Sequence, residues 1–258
     1  MELLQVHEVV KRFGGLTAVD KVSLTVARGE IRAVIGPNGS GKSTFINVLS
    51  GVYKPDSGTI VLDGRHLENL PPSEITKAGI ARTFQNIQLF EGLTVLENVA
   101  VGKHCRMTDG VLEVLAGGRR HRAIEQHARE EAYRLLETMG IPELASHYPG
   151  ELPYGQRRLV EIARALAAEP KLLMVDEPAA GLSAQEMNQL GDVLLDLKEK
   201  GISVIVIEHN MKFVMGLSDR VTVLNFGRVI AEGTPDQVRR DPVVVEAYLG
   251  GSHAHAAG

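Results

Sequence analysis

Between the apolar run Ile31 to Ile35 and a helix-forming stretch from Lys42 lies Gly36-Pro37-Asn38-Gly39-Ser40-Gly41-Lys42-Ser43-Thr44. Strand, glycine-rich turn and helix in that order constrain the chain to an α/β core, with the loop at a strand's carboxyl end and the helix N-terminus behind it. The backbone N–H groups of such a loop converge on an anion, and the helix dipole adds to the attraction. Lys42 is placed to neutralise phosphate oxygens and the Ser43 hydroxyl to ligate Mg²⁺, so the pattern implies a nucleoside triphosphate. Without that context, the same residues are a Gly-rich turn between a strand and a helix.

Bulk properties exclude several classes. The chain has 258 residues, 44% of them hydrophobic, and a formal net charge of −4. That suffices for one sizeable core, or a core with an inserted lobe, and gives no global pull toward nucleic acid or anionic lipid. The one cysteine, Cys105, excludes an internal disulfide and fits a reducing compartment. Met1 to Glu8 is charged and lacks the apolar core of a secretion signal. No apolar run approaches the about 18 residues that cross a bilayer, so work at a membrane is expected to go through a partner that spans it.

Val6 to Val10, Lys21 to Val26 and Ile31 to Ile35 read as short strands separated by glycine turns, with an antiparallel start. A helix from Lys42 to Leu49 follows, then strands at Thr59 to Leu62 and Ile80 to Gln85. From Val95 to Ala168 helical periodicity takes over, in Val95 to Val101, Arg122 to Met139 and Gln156 to Ala167. Strands return at Lys171 to Val175, Ser203 to Ile207, Val221 to Leu224 and Val229 to Ala231, with an amphipathic helix at Ala184 to Lys200. This order predicts an α/β core interrupted by an α-helical insert. The tail from Ser252 is small and polar, and its His253 and His255 read as part of a frayed end. The cluster Arg119-Arg120-His121-Arg122 suits either anionic headgroups beneath a membrane partner or a solvated helix end.

Three apolar strands deliver polar residues at their carboxyl ends. Leu172 to Val175 leads into Asp176 and Glu177, where Asp176 is placed to reach Mg²⁺ and Glu177 to orient or deprotonate an attacking water. The same acids also suit the N-terminus of a following helix. Ile202 to Ile207 leads into Glu208 and His209, a candidate γ-phosphate sensor or a structural histidine. Ile80 to Phe84 leads into Gln85, whose amide oxygen is a candidate Mg²⁺ ligand. Finally, Leu152-Pro153-Tyr154-Gly155-Gln156 opens a helix whose first N–H groups form an anion site, with Pro153 tolerated in the first turn.

Together these segments resemble the ATP-binding subunits of ABC transporters over nearly the entire chain. The phosphate loop, Gln85, the signature segment Leu152 to Gln156, the acids Asp176 and Glu177 and the histidine His209 stand in that family's order and spacing. The resemblance implies a P-loop NTPase core with an antiparallel β subdomain and an inserted α-helical subdomain. The expected divisions are 1–86 and 169–233 for the nucleotide-binding core, 87–168 for the helical signature subdomain and 234–258 for a C-terminal helical extension with a flexible tail. It implies ATP and Mg²⁺ as ligands, with Phe13 stacking on adenine and Val19 beside it, and Glu177, His209 and Gln85 as the catalytic set. Ser43, Gln85 and Asp176 are the implied metal ligands.

The resemblance further implies a head-to-tail pair of ATP-binding subunits, identical or paralogous, in which Tyr154, Gly155 and Gln156 of one cap the nucleotide held by the other. Membrane permease subunits would dock in a groove near Leu89, Phe90 and Leu93, and a solute-binding protein would act indirectly, with no nucleic acid involved. The chain would then sit peripherally on the cytoplasmic face of the inner or plasma membrane. Arg82 to Phe90, Tyr154 to Arg158, Glu186 after Ala179-Ala180-Gly181-Leu182, and Glu246 to Gly250 resemble the branched-chain amino acid importer subgroup. Importers of urea or short amides use similar ATPases. A soluble ABC ATPase acting on nucleic acid or ribosomes, and a nucleotide-binding regulator without turnover, are the competing classes. The first usually carries two ATPase units or a long coiled-coil insert, and the second has no need of Glu177. Four positions depart from what is usual: Pro153 for Ser and Tyr154 for Gly in the signature, Ser183 for Asp or Asn after Gly181-Leu182, and Asn210 where the subgroup often has Asp.

Overall fold

Strands β3 (Ile31–Ile35), β7 (Leu172–Asp176) and β8 (Ser203–Ile207) are buried along their whole length, which is why, apart from Arg32, Asp176 and Ser203, they read as apolar runs. Alternate side chains of β7 and β8 enter two different cores: Leu173, Val175, Val204 and Val206 face one, and Leu172, Met174, Ile205 and Ile207 the other. With β6 (Ile80–Arg82), β9 (Arg220–Asn225) and β10 (Arg228–Gly233) they form a six-stranded sheet in the order β10-β9-β3-β8-β7-β6, parallel except for the edge strand β10. The structure, a computed structural model, describes residues 1–105 and 119–250. His253 and His255 lie outside the described residues, as do the side chains of the Arg119 to Arg122 cluster.

A second, antiparallel sheet is formed by β1 (Glu2–Phe13), β2 (Leu16–Ala27), β4 (Ser57–Leu62) and β5 (Arg65–His66), in the order β2-β1-β4-β5. Between the two sheets lies α1 (Lys42–Leu49), whose Phe45, Ile46, Val48 and Leu49 pack with Val6, Val22, Leu24 and Ile60. The opposite face of the large sheet carries α3 (Val95–Val101), α4 (Arg119–Thr138), α5 (Tyr154–Leu166) and α6 (Ala184–Glu199), joined in one core that includes Val99, Leu136, Ile162 and Leu194. Thr94 and Glu97 close a capping box at the start of α3, and Ser183 and Glu186 another at the start of α6.

Two short helices carry no clear sequence signal: α2 (Pro72–Ala78) and α7 (Met211–Leu217). The C-terminal segment forms α8 (Pro235–Arg240) and α9 (Pro242–Gly250), and Val238, Val244 and Tyr248 pack on Ala33 and Ile35 of β3. The strand expected over Ile80 to Gln85 ends at Arg82. Thr83 N–H still donates to Met174 O at 2.9 Å, but at Phe84 side chains replace the sheet partner: its N–H donates to Glu161 Oε1 at 3.1 Å and its carbonyl accepts from Arg158 Nη1 at 2.9 Å. Pro153, expected inside the first helical turn, caps the helix instead with extended backbone, so α5 begins at Tyr154.

Candidate active site

The loop Gly36 to Gly41 leaves β3 at the carboxyl end of the parallel sheet, where β3 lies between β8 and β9. Its shape requires glycine at two points. A Cβ on Gly36 would lie 2.1 Å from Leu224 O, and one on Gly41, whose φ is +100°, would lie 2.4 Å from Ala18 O. No side chain caps α1, so the N–H groups of its first turn are open to an external anion. Lys42 is buried and folds back onto the loop, donating to Gly36 O at 2.7 Å and Pro37 O at 3.0 Å and lying 3.4 Å from Ser40 Oγ. Burial pushes its ammonium below the ordinary lysine range, while the charges of Glu177 and Asp176 oppose the shift. Asn38, Gly39 and Ser43 are exposed, Pro37 and Thr44 half-buried.

Asp176 ends β7 and is buried, with Arg82 Nη2 at 3.6 Å. Arg82 is held in turn by Asn47 Oδ1 at 2.7 Å and Ser50 Oγ at 3.0 Å. Glu177, with φ +45°, donates its N–H to Ile207 O at 2.9 Å, so the turn after β7 is fixed to β8. That turn delivers the side chain to two partners from other strand ends. Gln85 Nε2 donates to Glu177 Oε2 at 3.1 Å, and His209 Nδ1 stands 3.7 Å from Glu177 Oε1. Gln85, Glu177 and His209, each singled out at a strand end, therefore meet in space.

Glu208, which sequence reasoning passed over, is fully buried behind them. It accepts from Ala179 N at 2.8 Å, His209 N at 3.0 Å and Asn210 N at 3.2 Å, bracing the turns after β7 and β8 against each other. Asn210 caps α7 by accepting from Phe213 N at 3.2 Å, a role an aspartate would also fill. Likewise Ser183 caps α6, accepting from Glu186 N at 3.3 Å.

Phe13 is half-exposed at the end of β1, edge-on to Tyr53 with ring centroids 5.2 Å apart. Val19 is buried in the core with Phe45 and Ile46, and it is the neighbouring Ala18 carbonyl that meets the loop at Gly41. Tyr154, Gly155 and Gln156 form the first turn of α5, where Pro153 gives no side-chain cap and the Glu186 carboxylate of α6 stands against Gly155. Arg158, Glu161 and Asn98 are further buried polar residues that sequence reasoning missed: the first two reach Phe84 from far along the chain, and Asn98 bonds the irregular turn just before its own helix. Leu89 and Phe90 line a cleft of about 640 Å³ together with Ile80, Phe84, Val101 and Arg164. Leu93 is not part of that lining, and its carbonyl accepts from Asn98 Nδ2 at 3.1 Å.

The donor set fits a divalent cation shared with a triphosphate. The Ser43 hydroxyl, the Asp176 carboxylate and the Gln85 amide oxygen are hard oxygen donors of the kind Mg²⁺ takes. Among the described residues no three His, Cys, Asp or Glu side chains converge into a closed cage, so ligand oxygens would complete the sphere. No helix of the described residues is long and apolar enough to cross a membrane.

A sequence model of the family described as ABC transporter matches residues 19–180, and one described as branched-chain amino acid ATP-binding cassette transporter matches residues 228–254. The high-affinity branched-chain amino acid transport ATP-binding protein LivG of Salmonella typhimurium (strain LT2) is 44% identical over 96% of this chain and 98% of its own. BraF of Pseudomonas aeruginosa, of the same description, is 43% identical over 96% of this chain and 98% of its own. Among solved structures, the ADP conformation of MJ1267, an ATP-binding cassette of an ABC transporter, superposes with a TM-score of 0.84 at 38% identity, covering 97% of this chain and 99% of that one. A dimeric post-hydrolysis state of the cassette MJ0796, bound to ADP and Pi, gives 0.76 at 28% identity over 90% of this chain and 99% of that one. The chain belongs to the ABC transporter family, among its ATP-binding subunits.

Proposed function

We propose that this chain is the motor of an importer for branched-chain amino acids, hydrolysing ATP between two ATP-binding subunits beneath membrane permeases on the cytoplasmic face. The observation that carries the reading is the convergence of Gln85, Glu177 and His209 on one point beside Asp176 and the Lys42 loop. Similarity to LivG and BraF over nearly all of both chains supports the cargo class, and the dimeric MJ0796 cassette supports the pairing of subunits.

In this reading the loop N–H groups and Lys42 bind the β- and γ-phosphates, and Lys42 exchanges its bonds to Gly36 O and Pro37 O for phosphate oxygens. Phe13 offers its exposed ring to the adenine, with Val19 supporting the strand behind the loop. Ser43, Asp176 and Gln85 would hold Mg²⁺, which when bound neutralises charge on the phosphate oxygens. Glu177 orients and deprotonates the attacking water, Gln85 positions both, and His209 contacts the γ-phosphate. Tyr154, Gly155 and Gln156 of the partner close the site through backbone N–H groups, since Pro153 supplies no hydroxyl.

Glu177→Gln should keep ATP binding and lower phosphate release by about 100-fold or more, while Lys42→Ala should lose the nucleotide itself. Undiminished hydrolysis in the first variant, or retained tight ATP binding in the second, would remove the assigned roles. Uptake assays with the cognate permeases, comparing leucine with urea, test the cargo; urea uptake without leucine uptake would overturn that part.

A further inference from the structure

The guanidinium of Arg158 is fully buried and makes four hydrogen bonds that run in two directions. Toward β6 it donates to two successive backbone carbonyls, Phe84 O at 2.9 Å and Gln85 O at 3.1 Å. Toward its own helix it donates to Glu161 Oε2 at 2.9 Å and Tyr154 Oη at 3.1 Å. Glu161 completes the clasp by accepting the Phe84 N–H at 3.1 Å. Both backbone groups of Phe84 and the carbonyl of Gln85 are thus held by the helix that begins with Tyr154, Gly155 and Gln156. Arg158 Nε finds no partner, so the fork spends its bonds on this junction alone.

Tyr154 takes the place of the glycine usual in the family signature, and its hydroxyl is one of the four acceptors. The other side of its ring packs beside Gly181, where an added Cβ would lie 3.5 Å from Tyr154 Cε1. One side chain therefore touches the Arg158 clasp and the segment that follows Glu177.

Resting on the active-site assignment above, we infer that Arg158 is a positioning residue that, with Tyr154, locks the Gln85 backbone to the signature helix. In the paired state the signature turn contacts the partner's nucleotide, whereas Gln85 contacts the nucleotide of its own chain. The latch converts a shift of the signature helix on the partner's γ-phosphate into a shift of Gln85 relative to Glu177. The Arg158 side chain acts on both sites of the pair without touching either substrate. A planar fork is needed, because Lys in place of Arg keeps the charge but cannot bridge two carbonyls, a carboxylate and a phenol together.

The test uses Arg158→Lys and Tyr154→Phe in the full chain. Binding of a fluorescent ATP analogue to the unpaired Arg158→Lys chain should stay within about twofold of the parent, since Arg158 bonds Phe84, Gln85, Glu161 and Tyr154 and not the Lys42 loop, while its kcat falls about tenfold; Tyr154→Phe keeps the backbone N–H of the signature turn. In the Glu177→Gln background, MgATP should pair the chains and slow amide exchange of the 84–90 segment at least fivefold; adding either variant should leave pairing intact and reduce the slowing to less than twofold. If the parent pairs with no slowing at 84–90, or the variants match it in slowing and in kcat, the latch is overturned. Should Arg158→Lys not fold, Tyr154→Phe, which removes only the hydroxyl that accepts from Arg158, carries the same exchange measurement. A Glu177→Gln parent that binds MgATP without pairing would instead overturn the active-site assignment, and the latch with it.

Discussion

Burial raises the Asp176 carboxyl above the usual aspartate range; Arg82 opposes the shift, Glu177 adds to it, and Arg158 and Lys42 oppose it further. A carboxyl raised by folding holds its proton more tightly in the native state, so stability falls as pH climbs from the ordinary aspartate range through the raised value, and the loss is complete above it. Once ionised, Asp176 is thus a cost that a bound cation would offset. Asp176→Asn should raise the melting temperature of the nucleotide-free protein by about 2–4 °C, the equivalent of about 1 kcal/mol, and flatten its pH dependence through that window. MgATP hydrolysis should be lost in the same variant. A lower melting temperature, showing that Arg82 needs its carboxylate more than burial penalises it, would contradict this account. At this scale Lys42, Gln85, Asp176, Glu177 and His209 are legible because each follows an apolar run or a glycine loop in a way local order reveals. Arg158 is not, because its partners at Phe84 and Gln85 lie 74 and 73 residues away and no local pattern records them.

The elements that frame the site are held by polar side chains as much as by packing. Asn98 of α3 is fully buried and accepts from Phe90 N at 2.8 Å while donating to Phe90 O, Leu93 O and Thr94 O at 3.0, 3.1 and 3.0 Å. It fixes the turn that carries Phe90 into the cleft. Asn98→Ala would strand the Leu93 carbonyl and the Phe90 N–H, while Phe90 O keeps the Leu93 N–H and Thr94 O the Asn98 N–H, and should cost about 2–4 kcal/mol in urea unfolding; a loss under about 1 kcal/mol would mean that water or a shift of the turn replaces the bonds. Strands β3 and β8 read from the sequence with their observed bounds because burial on both faces leaves apolar residues, Arg32 and Ser203 excepted, between turns. Helices α2 and α7 bury one residue and two, too few for helical periodicity to register, whereas α3, equally short, buries Val95, Asn98 and Val99. The end of β6 was illegible for another reason: its next partners are the side chains of Arg158 and Glu161, not a strand.

Across the whole molecule, one sheet separates two kinds of surface. Its carboxyl edge carries the phosphate loop and the three-residue cluster at Glu177, and the helical face carries the signature turn and the cleft at Phe84, Leu89 and Phe90. Ser43 is exposed at one end, and at the other the first turn of α5 has no side-chain cap of its own and meets Glu186 at Gly155, so that each would form half of a site closed by a second chain. Two chains arranged head to tail would complete both halves, and the nucleotide would be the joint between them. A direct measurement is crosslinking by a short bifunctional maleimide in a chain carrying Cys105→Ala, Glu177→Gln, Asn38→Cys and Gln156→Cys, so that the phosphate loop of one copy and the signature helix of another each present a thiol. A covalent dimer that forms with MgATP and not without it is the predicted result; a chain that binds MgATP yet stays uncrosslinked, or crosslinks equally in its absence, would contradict it.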